Sequence, residues 1–315
     1  MGNHVNRRSV LNAANLAIGA AGLFGAIGST AASKAAPERG GRAASVDRLE
    51  VPGGVSLFYR DWGIGRPMIF LAPWGLHSGW WEYQMANLSQ QGVRCVAYDR
   101  RGHGRSSEPR DGYDFDALSD DLSALIAQLG VRDITLVGQS LGCGEIVRYL
   151  SRHQAHHIRR VILIAPITPF LLKTENNPDG TDAAALEKVR RYLSTDRAQA
   201  IAGAAPSFFN SPKNPVSAEM MAWWTNMLMQ CPLRVLLELH KMFTTTDFRA
   251  ELPTISVATT VIQGDNDTST PIEQTGRKTV ALIPGSRLVV YEGAGHALPI
   301  THMDRLNRDL LSLSE

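Results

Sequence analysis

The stretch Gly138-Gln139-Ser140-Leu141-Gly142 decides how the rest of the chain is interpreted. It follows a short apolar run, residues 134–137, and precedes a helix-compatible segment, residues 143–153. A serine at a tight turn between a strand and a helix is the context in which G-x-S-x-G predicts a nucleophile. The turn strains the serine backbone, and the flanking glycines leave room for neighbouring backbone. We therefore predict that Ser140 emerges at the carboxyl edge of a parallel sheet, where ligands bind in such folds.

The composition is that of an ordinary globular protein. The 315 residues are 44% hydrophobic and 20% charged, which is typical of one or two domains with a large core. The mean hydropathy of -0.12 excludes a polytopic membrane protein. The 32 lysines and arginines barely exceed the 30 aspartates and glutamates, so we expect no nucleic-acid partner.

The N-terminus differs in pattern from the rest of the chain. Arg7 and Arg8 precede a weakly apolar run, residues 16–27, which is followed by small residues. This order resembles a twin-arginine export signal that is cleaved near Ala35. A membrane anchor is disfavoured because the run is short and rich in glycine and alanine, and a disordered tail is the remaining alternative. We expect residues 1–35 to be a signal peptide.

Removal of this segment changes the charge of the protein. Arg7, Arg8 and Lys34 leave with no acidic residue, so lysine plus arginine fall from 32 to 29 against 30 acidic residues. The exported form then carries a net charge of -1, which indicates no electrostatic partner. We expect it to be periplasmic or secreted, with no membrane contact.

Strand and helix patterns alternate after a Gly-rich linker at residues 36–45. Eight strands are predicted, at residues 46–51, 55–62, 68–71, 94–98, 134–137, 161–165, 259–263 and 287–291. Helices are predicted between them, at residues 80–90, 115–129, 143–153, 271–282 and 303–313. This order predicts an α/β core, residues 46–165 and 251–315, with a mostly parallel eight-stranded sheet covered by helices on both faces.

The alternation stops between residues 166 and 250, where the clearest elements are helices at 183–193, 218–229 and 233–242. Such an insert leaves the sheet at its carboxyl edge and predicts a helical cap above the nucleophile. Most of its aromatic and methionine side chains should pack the cap onto the sheet, and a few should line an apolar pocket.

The candidates for the pocket are Phe170, Trp223, Trp224 and Met227. The two tryptophans are adjacent on a helix and therefore about 100° apart in azimuth. We expect one of them to line the acyl pocket and the other to pack the cap.

A serine hydroxyl needs an adjacent base, and in this architecture an acid and then a histidine follow it in the chain. Asp267 and His296 each come shortly after a predicted strand. We predict that His296 moves the Ser140 proton and that Asp267 orients the imidazole. Asp265 is the rival acid and His302 the rival base.

The developing oxyanion needs two fixed donors. We predict the N–H groups of Leu141, which follows the serine, and of Trp74, in the loop after the third strand. The three cysteines are interpreted as core residues, although Cys143 is a conceivable nucleophile. His153, His156 and His157 have helical spacing but lack a further ligand, so we expect no metal.

Several stretches of the sequence resemble those of a known protein family. From about Arg48 onwards the chain looks like the α/β-hydrolase fold, and within it the bacterial non-haem chloroperoxidase, perhydrolase and aryl-esterase group. The resemblance rests on YDRRGHGRSS at residues 98–107, FLLKT at 170–174, TDFR at 246–249 and YEGAGH at 291–296. It implies no haem, metal or organic cofactor.

Two positions depart from that group. Gln139 stands where it usually has histidine, and Ala72-Pro73-Trp74-Gly75 stands where it usually has His-Gly-Trp-Pro. The second departure alters the loop that carries Trp74 and argues against peracid formation more than against ester hydrolysis.

The sequence predicts a serine hydrolase that cleaves small carboxylic esters or lactones through an acyl-enzyme. The alternatives are a cofactor-free haloperoxidase or perhydrolase, a carbon–carbon bond hydrolase and, in a different class, a non-enzymatic ligand receptor. A homo-oligomer is compatible with the sequence.

Overall fold

A computed structural model describes residues 47–153, 155–210 and 212–314. The expected signal peptide and linker therefore lie outside the described residues. Eight strands form one sheet in the order β1-β2-β4-β3-β5-β6-β7-β8. They are β1 (Arg48–Val51), β2 (Val55–Trp62), β3 (Arg66–Leu71), β4 (Val93–Tyr98), β5 (Ile134–Gln139), β6 (Ile158–Ile164), β7 (Ala258–Gly264) and β8 (Arg287–Tyr291).

The strand β2 pairs antiparallel with β1 and β4, and the neighbours from β4 to β8 pair in parallel. The central strands β3 and β5 are apolar and buried along most of their length. Such runs are typical of parallel strands covered on both faces. The predicted α/β fold is confirmed, and the carboxyl ends of β3, β5, β7 and β8 meet at one edge.

Ten helices accompany the sheet in the described part of the chain. They are α1 (Glu82–Leu88), α2 (Phe115–Leu129), α3 (Leu141–Arg152), α4 (Ala183–Thr195), α5 (Arg197–Phe209), α6 (Ala218–Gln230), α7 (Leu233–Thr245), α8 (Gly276–Leu282), α9 (Leu298–Thr301) and α10 (Met303–Ser314). Against the sheet, α2 packs on α3 and α1 on α10. Helices α4 to α7 lie between β6 and β7 in the chain and pack on one another.

Three helices differ most from the prediction, and one of them, the short α9 (Leu298–Thr301), has no predicted counterpart. Helix α5 has no counterpart among the clearest sequence patterns, because Pro206 lies inside it and proline normally disfavours a helix interior. Helix α8 begins at Gly276 rather than at Pro271. A Cβ on Gly276 would lie 2.1 Å from Oε1 of the buried Gln263, so the first position of this helix has no room for a side chain.

No helix among the described residues is both long and apolar enough to cross a membrane. The cysteines Cys95, Cys143 and Cys231 are unpaired and buried, as predicted for core residues.

Candidate active site

Ser140 lies at the turn from β5 to α3 with φ 54° and ψ −114°. This is a strained conformation for a residue other than glycine. A Cβ on Gly138 would lie 2.6 Å from the carbonyl oxygen of Gly142, and a Cβ on Gly142 would lie 2.6 Å from that of Leu71. Both contacts are too short for any side chain, so the two glycines are needed for the turn. The serine is 8% exposed at the edge of the sheet.

The predicted acid and histidine come together at the ends of β7 and β8. These strands pair in parallel, with Gly264 opposite Tyr291. His296 Nδ1 lies 2.7 Å from Asp267 Oδ2, and both side chains are buried. An ionised carboxylate only accepts hydrogen bonds, so Nδ1 carries the proton, and the neutral ring presents Nε2 as an acceptor.

The carboxylate of Asp267 is fixed by its own loop. Its Oδ1 accepts hydrogen bonds from the backbone N–H groups of Ser269 and Thr270, at 2.9 and 3.0 Å. The hydroxyl of Thr270 donates to Oδ2 at 3.0 Å. These bonds hold the carboxylate in one orientation towards the imidazole of His296.

The rival residues have other contacts. Asp265 is exposed, and its Oδ1 accepts from the backbone N–H of Gly293 at 2.7 Å, so it joins the acid loop to the histidine loop. His302 is half-buried, and its Nδ1 lies 3.0 Å from the hydroxyl of Thr301. Neither side chain has a hydrogen bond to the Asp267–His296 pair among the described residues.

Cys143 is fully buried in α3. Its thiol donates to the carbonyl oxygens of Gly138 and Ile164, at 3.2 and 3.4 Å. Burial raises the pKa of this thiol, so the thiolate is disfavoured. The side chain has the contacts of a core residue.

The two predicted oxyanion donors belong to adjacent segments. Leu71, at the end of β3, pairs with Gly138, two residues before Ser140. Trp74 lies in the loop after β3, and Leu141 is the first residue of α3. Within the described residues, neither backbone N–H donates a hydrogen bond to another protein group. Two unused N–H groups beside a strained serine are what a developing oxyanion requires.

Gln139 makes contacts that sequence reasoning did not foresee. The side chain is wholly buried, and its Oε1 accepts from the indole N–H of Trp80 at 2.6 Å. Its Nε2 donates to the backbone carbonyl of His296 at 2.7 Å. The residue before Ser140 therefore ties β5 directly to the histidine loop.

The end of α5 also holds the histidine loop. The carbonyl oxygen of Phe208 accepts from the backbone N–H groups of His296 and the next residue, both at 3.1 Å. The Phe208 ring lies 5.2 Å from the imidazole, centroid to centroid. The amides of Asn210 and Asn214 donate to the carbonyl of Gly293 at 3.0 and 2.8 Å. We call these bonds the cap–histidine contact; the motifs in the sequence gave no signal for it.

The four predicted pocket residues do not form one group. Trp224 is 4% exposed, and its ring packs on Phe208 at 4.6 Å. Trp223 stacks on Trp80 at 5.9 Å and, with Met227, lines a largely polar cavity of about 500 Å³ beside α6. Phe170 lies elsewhere, beneath the guanidinium of Arg249 and along a separate surface cavity.

Metal-ligating side chains are not gathered at this edge. In residues 47–153, 155–210 and 212–314, no three His, Cys, Asp or Glu side chains are grouped so that they could hold a metal ion. His153 Nε2 lies 2.9 Å from Asp120, and the rings of His156 and His157 contact each other.

Comparison with known proteins agrees with this fold. Residues 66–303 match the family model described as alpha/beta hydrolase fold. The chain is 39% identical to a non-heme chloroperoxidase of Kitasatospora aureofaciens over 263 residues, which cover 82% of this chain and 95% of that protein. It is 35% identical to a bifunctional esterase/perhydrolase of Acinetobacter calcoaceticus, with coverage of 82% and 96%.

A solved structure, the bromoperoxidase of Bacillus anthracis, superposes with a TM-score of 0.80 at 32% identity. The match covers 83% of this chain and 96% of that one. The chain therefore belongs to the α/β-hydrolase fold family, and within it to the group of enzymes named as non-heme haloperoxidases and esterases.

Proposed function

We propose that the protein is a serine hydrolase that cleaves carboxylic esters or lactones. His296 Nε2 accepts the Ser140 proton as the hydroxyl attacks the ester carbonyl. The oxyanion accepts hydrogen bonds from the N–H groups of Leu141 and Trp74. The C–O bond to the alcohol then breaks, and His296 returns the proton to the leaving oxygen. Water attacks the acyl-enzyme by the same route, which releases the acid and restores the serine.

One observation supports this proposal more than any other: the 2.7 Å hydrogen bond between His296 Nδ1 and Asp267 Oδ2. It fixes the tautomer in which Nε2 acts as a base. In addition, the buried carboxylate stabilises the imidazolium that forms when the serine is deprotonated.

A panel of aryl and alkyl esters and lactones of graded acyl length tests this function. Wild-type protein should hydrolyse some of them, and Ser140→Ala should lower kcat by about 10⁴-fold or more, because the members of such a triad act as a unit. A Ser140→Ala variant that kept more than about a tenth of the wild-type rate would contradict the assignment.

A second candidate is perhydrolysis at the same site, favoured by the relative named as a bifunctional esterase/perhydrolase. Hydrogen peroxide would replace water as the nucleophile on the acyl-enzyme, so that a peracid and free Ser140 form. The departure at residues 72–75 argues against it. Peracid yield in peroxide, measured against acid yield in water from the same ester, separates the two activities.

We also propose that the enzyme is exported, from the twin-arginine pattern of the N-terminus. Replacement of both Arg7 and Arg8 by lysine should leave the precursor in the cytoplasm. Equal export of this double variant and the wild type would contradict a twin-arginine signal.

A further inference from the structure

A buried ion pair lies beneath the loop that carries Trp74. Arg100 follows β4 and is 2% exposed, and Glu145 on α3 is fully buried. The Arg100 Nε donates to Glu145 Oε2. The ester-hydrolysis steps proposed above use neither side chain. The pair therefore needs an explanation of its own.

The other edge of the guanidinium faces backbone carbonyls. One terminal nitrogen of Arg100 donates to Ala72 O, and the second lies 3.5 Å from Pro73 O, which also accepts from the backbone N–H of Leu76 at 3.3 Å. The Pro73 carbonyl and the Trp74 N–H belong to the same planar trans peptide unit and point in opposite directions. A donor that holds the Pro73 carbonyl on one side therefore directs the Trp74 N–H to the other side.

Glu145 connects this arrangement to the second donor. It lies five residues after Ser140 on α3, the helix whose first N–H belongs to Leu141. The ion pair thus joins the helix that supplies one oxyanion donor to the loop that supplies the other. The opposite side of the loop is held by the cap, because the Trp74 indole N–H donates to Leu236 O at 3.0 Å.

A buried ion pair is a costly means of filling space. Desolvation of both groups opposes their attraction, and apolar residues of similar volume are often as stabilising. Here burial lowers the pKa of Arg100 and raises the pKa of Glu145. Apolar side chains would offer no donors to the carbonyls of Ala72 and Pro73. The ion pair therefore differs from an apolar pair in orienting these carbonyls, rather than in stabilising the fold.

We propose that Arg100, held by Glu145, is a positioning residue that fixes the Trp74 N–H in the oxyanion hole. This proposal rests on the proposed ester-hydrolase function.

The double variant Arg100→Met/Glu145→Met separates positioning from folding. Either single change leaves one buried charge unpaired and should lower the melting temperature. The double change removes both charges, so its melting temperature should return most of the way to that of the wild type. We expect the double variant to have a kcat about 10- to 100-fold below wild type, because loss of one oxyanion donor costs about 10²- to 10³-fold and a misdirected donor less. KM should stay within about threefold. Arg100→Lys keeps one charged donor group, so its kcat should lie between that of the double variant and that of the wild type.

The neighbouring ion pair provides a matched control. Arg101 donates to both oxygens of Asp121 at 2.7 Å, is also buried, and has no hydrogen bond to residues 72–75 in the described structure. Arg101→Met/Asp121→Met should alter melting but leave kcat within about threefold of wild type.

Amide hydrogen exchange supplies a readout that does not depend on activity. In the Arg100/Glu145 double variant, peptides covering residues 70–76 should exchange faster, while those covering β5 should not. Unchanged exchange and unchanged kcat in a folded double variant would overturn the proposal. If the wild type hydrolysed no ester, the proposed function would fail, and the exchange data alone would decide the role of Arg100.

Discussion

The serine side and the histidine side of the candidate site are held by different kinds of interaction. On the serine side, the close approach of Gly138 and Gly142 to neighbouring backbone fixes the turn at Ser140. The buried Arg100–Glu145 pair holds the loop with Trp74. On the histidine side, the cap–histidine contact consists of uncharged hydrogen bonds, which the carbonyl of Phe208 accepts and the side-chain amides of Asn210 and Asn214 donate. The side chain of Gln139 links the two sides directly through its hydrogen bond to the backbone carbonyl of His296.

This difference shows which part of the site each region controls. The serine side is built mainly from the sheet and the residues directly beneath it, with Trp74 also bonded to Leu236 of the cap, so Ser140 should keep its position as long as the core is folded. The histidine side depends on helix α5, which lies between β6 and β7 in the chain, so changes in α5 should displace His296 before they displace Ser140. The following predictions test that separation.

The largest effect is expected on the histidine side itself. Asp267→Asn should lower kcat by about 10⁴-fold, because the amide favours the wrong imidazole tautomer. Asp265→Asn is the control, since its exposed carboxylate bonds to the backbone of Gly293 and not to the imidazole. Steady-state kinetics of both variants would contradict the assignment if Asp265→Asn were the more damaging change.

The next effect concerns the two tryptophans of α6. Trp224 is buried against Phe208, so Trp224→Ala should cost about 3–5 kcal/mol of unfolding free energy. Trp223 is half-buried beside the cavity of about 500 Å³, whose lining does not include Ser140 or His296. Trp223→Ala should therefore cost less stability, and a changed acyl-length profile in this variant would place its ring in the acyl pocket. Denaturant titration and an ester panel on both variants test this. Identical stability losses with wild-type profiles would show that neither ring determines specificity.

A smaller effect is expected from pH on the serine side. His240 packs edge-on against Trp74, and burial, with Arg190 nearby and Glu187 opposing, lowers its pKa to about 4. Burial and Arg100 lower the pKa of His103 to about 4 as well. Below the unfolded pKa of about 6.5 the unfolded chain binds more protons than the folded one, so stability falls as pH drops towards 4.

Between the unfolded and folded pKa values, each histidine should lower the free energy of unfolding by up to about 1.4 kcal/mol for each pH unit of acidification. Urea titrations between pH 7.5 and 4.5 measure it, and His240→Gln should show a shallower loss than wild type. A variant with the wild-type slope would contradict the assignment to His240.

The smallest effect is expected in the cap–histidine contact. Asn210 has φ 50°, which glycine adopts freely, so Asn210→Gly removes only the hydrogen bond to Gly293. We expect a loss of about 0.5–1.5 kcal/mol and a few-fold decrease in kcat. Asn210→Ala adds backbone strain and should be worse. If both variants kept wild-type kcat, this bond would not position the histidine loop.

Much of the serine side could be predicted from the sequence, because it depends on local patterns. The apolar strand, the two glycines and the following helix are adjacent in the chain, and helix α2 has the predicted bounds, Phe115–Leu129. The order of strands also indicated where Asp267 and His296 would lie.

The histidine side was less predictable because its contacts join distant segments. Helix α5 contains Pro206, a residue that disfavours helix interiors, and the contact of Phe208 with His296 exists only after folding. Gln139 departs from the family pattern, and its two partners lie 59 and 157 residues away. Neither the periodicity nor the motifs of a sequence indicate such long-range pairs.

Ser140 is the residue proposed to form a covalent bond to the acyl group of the substrate. Reaction with a fluorophosphonate, followed by peptide mass spectrometry, tests it most directly. We predict a single adduct on Ser140, absent from Ser140→Ala and formed much more slowly by Asp267→Asn. An adduct on another side chain, or rapid labelling that persists in Ser140→Ala, would contradict the account.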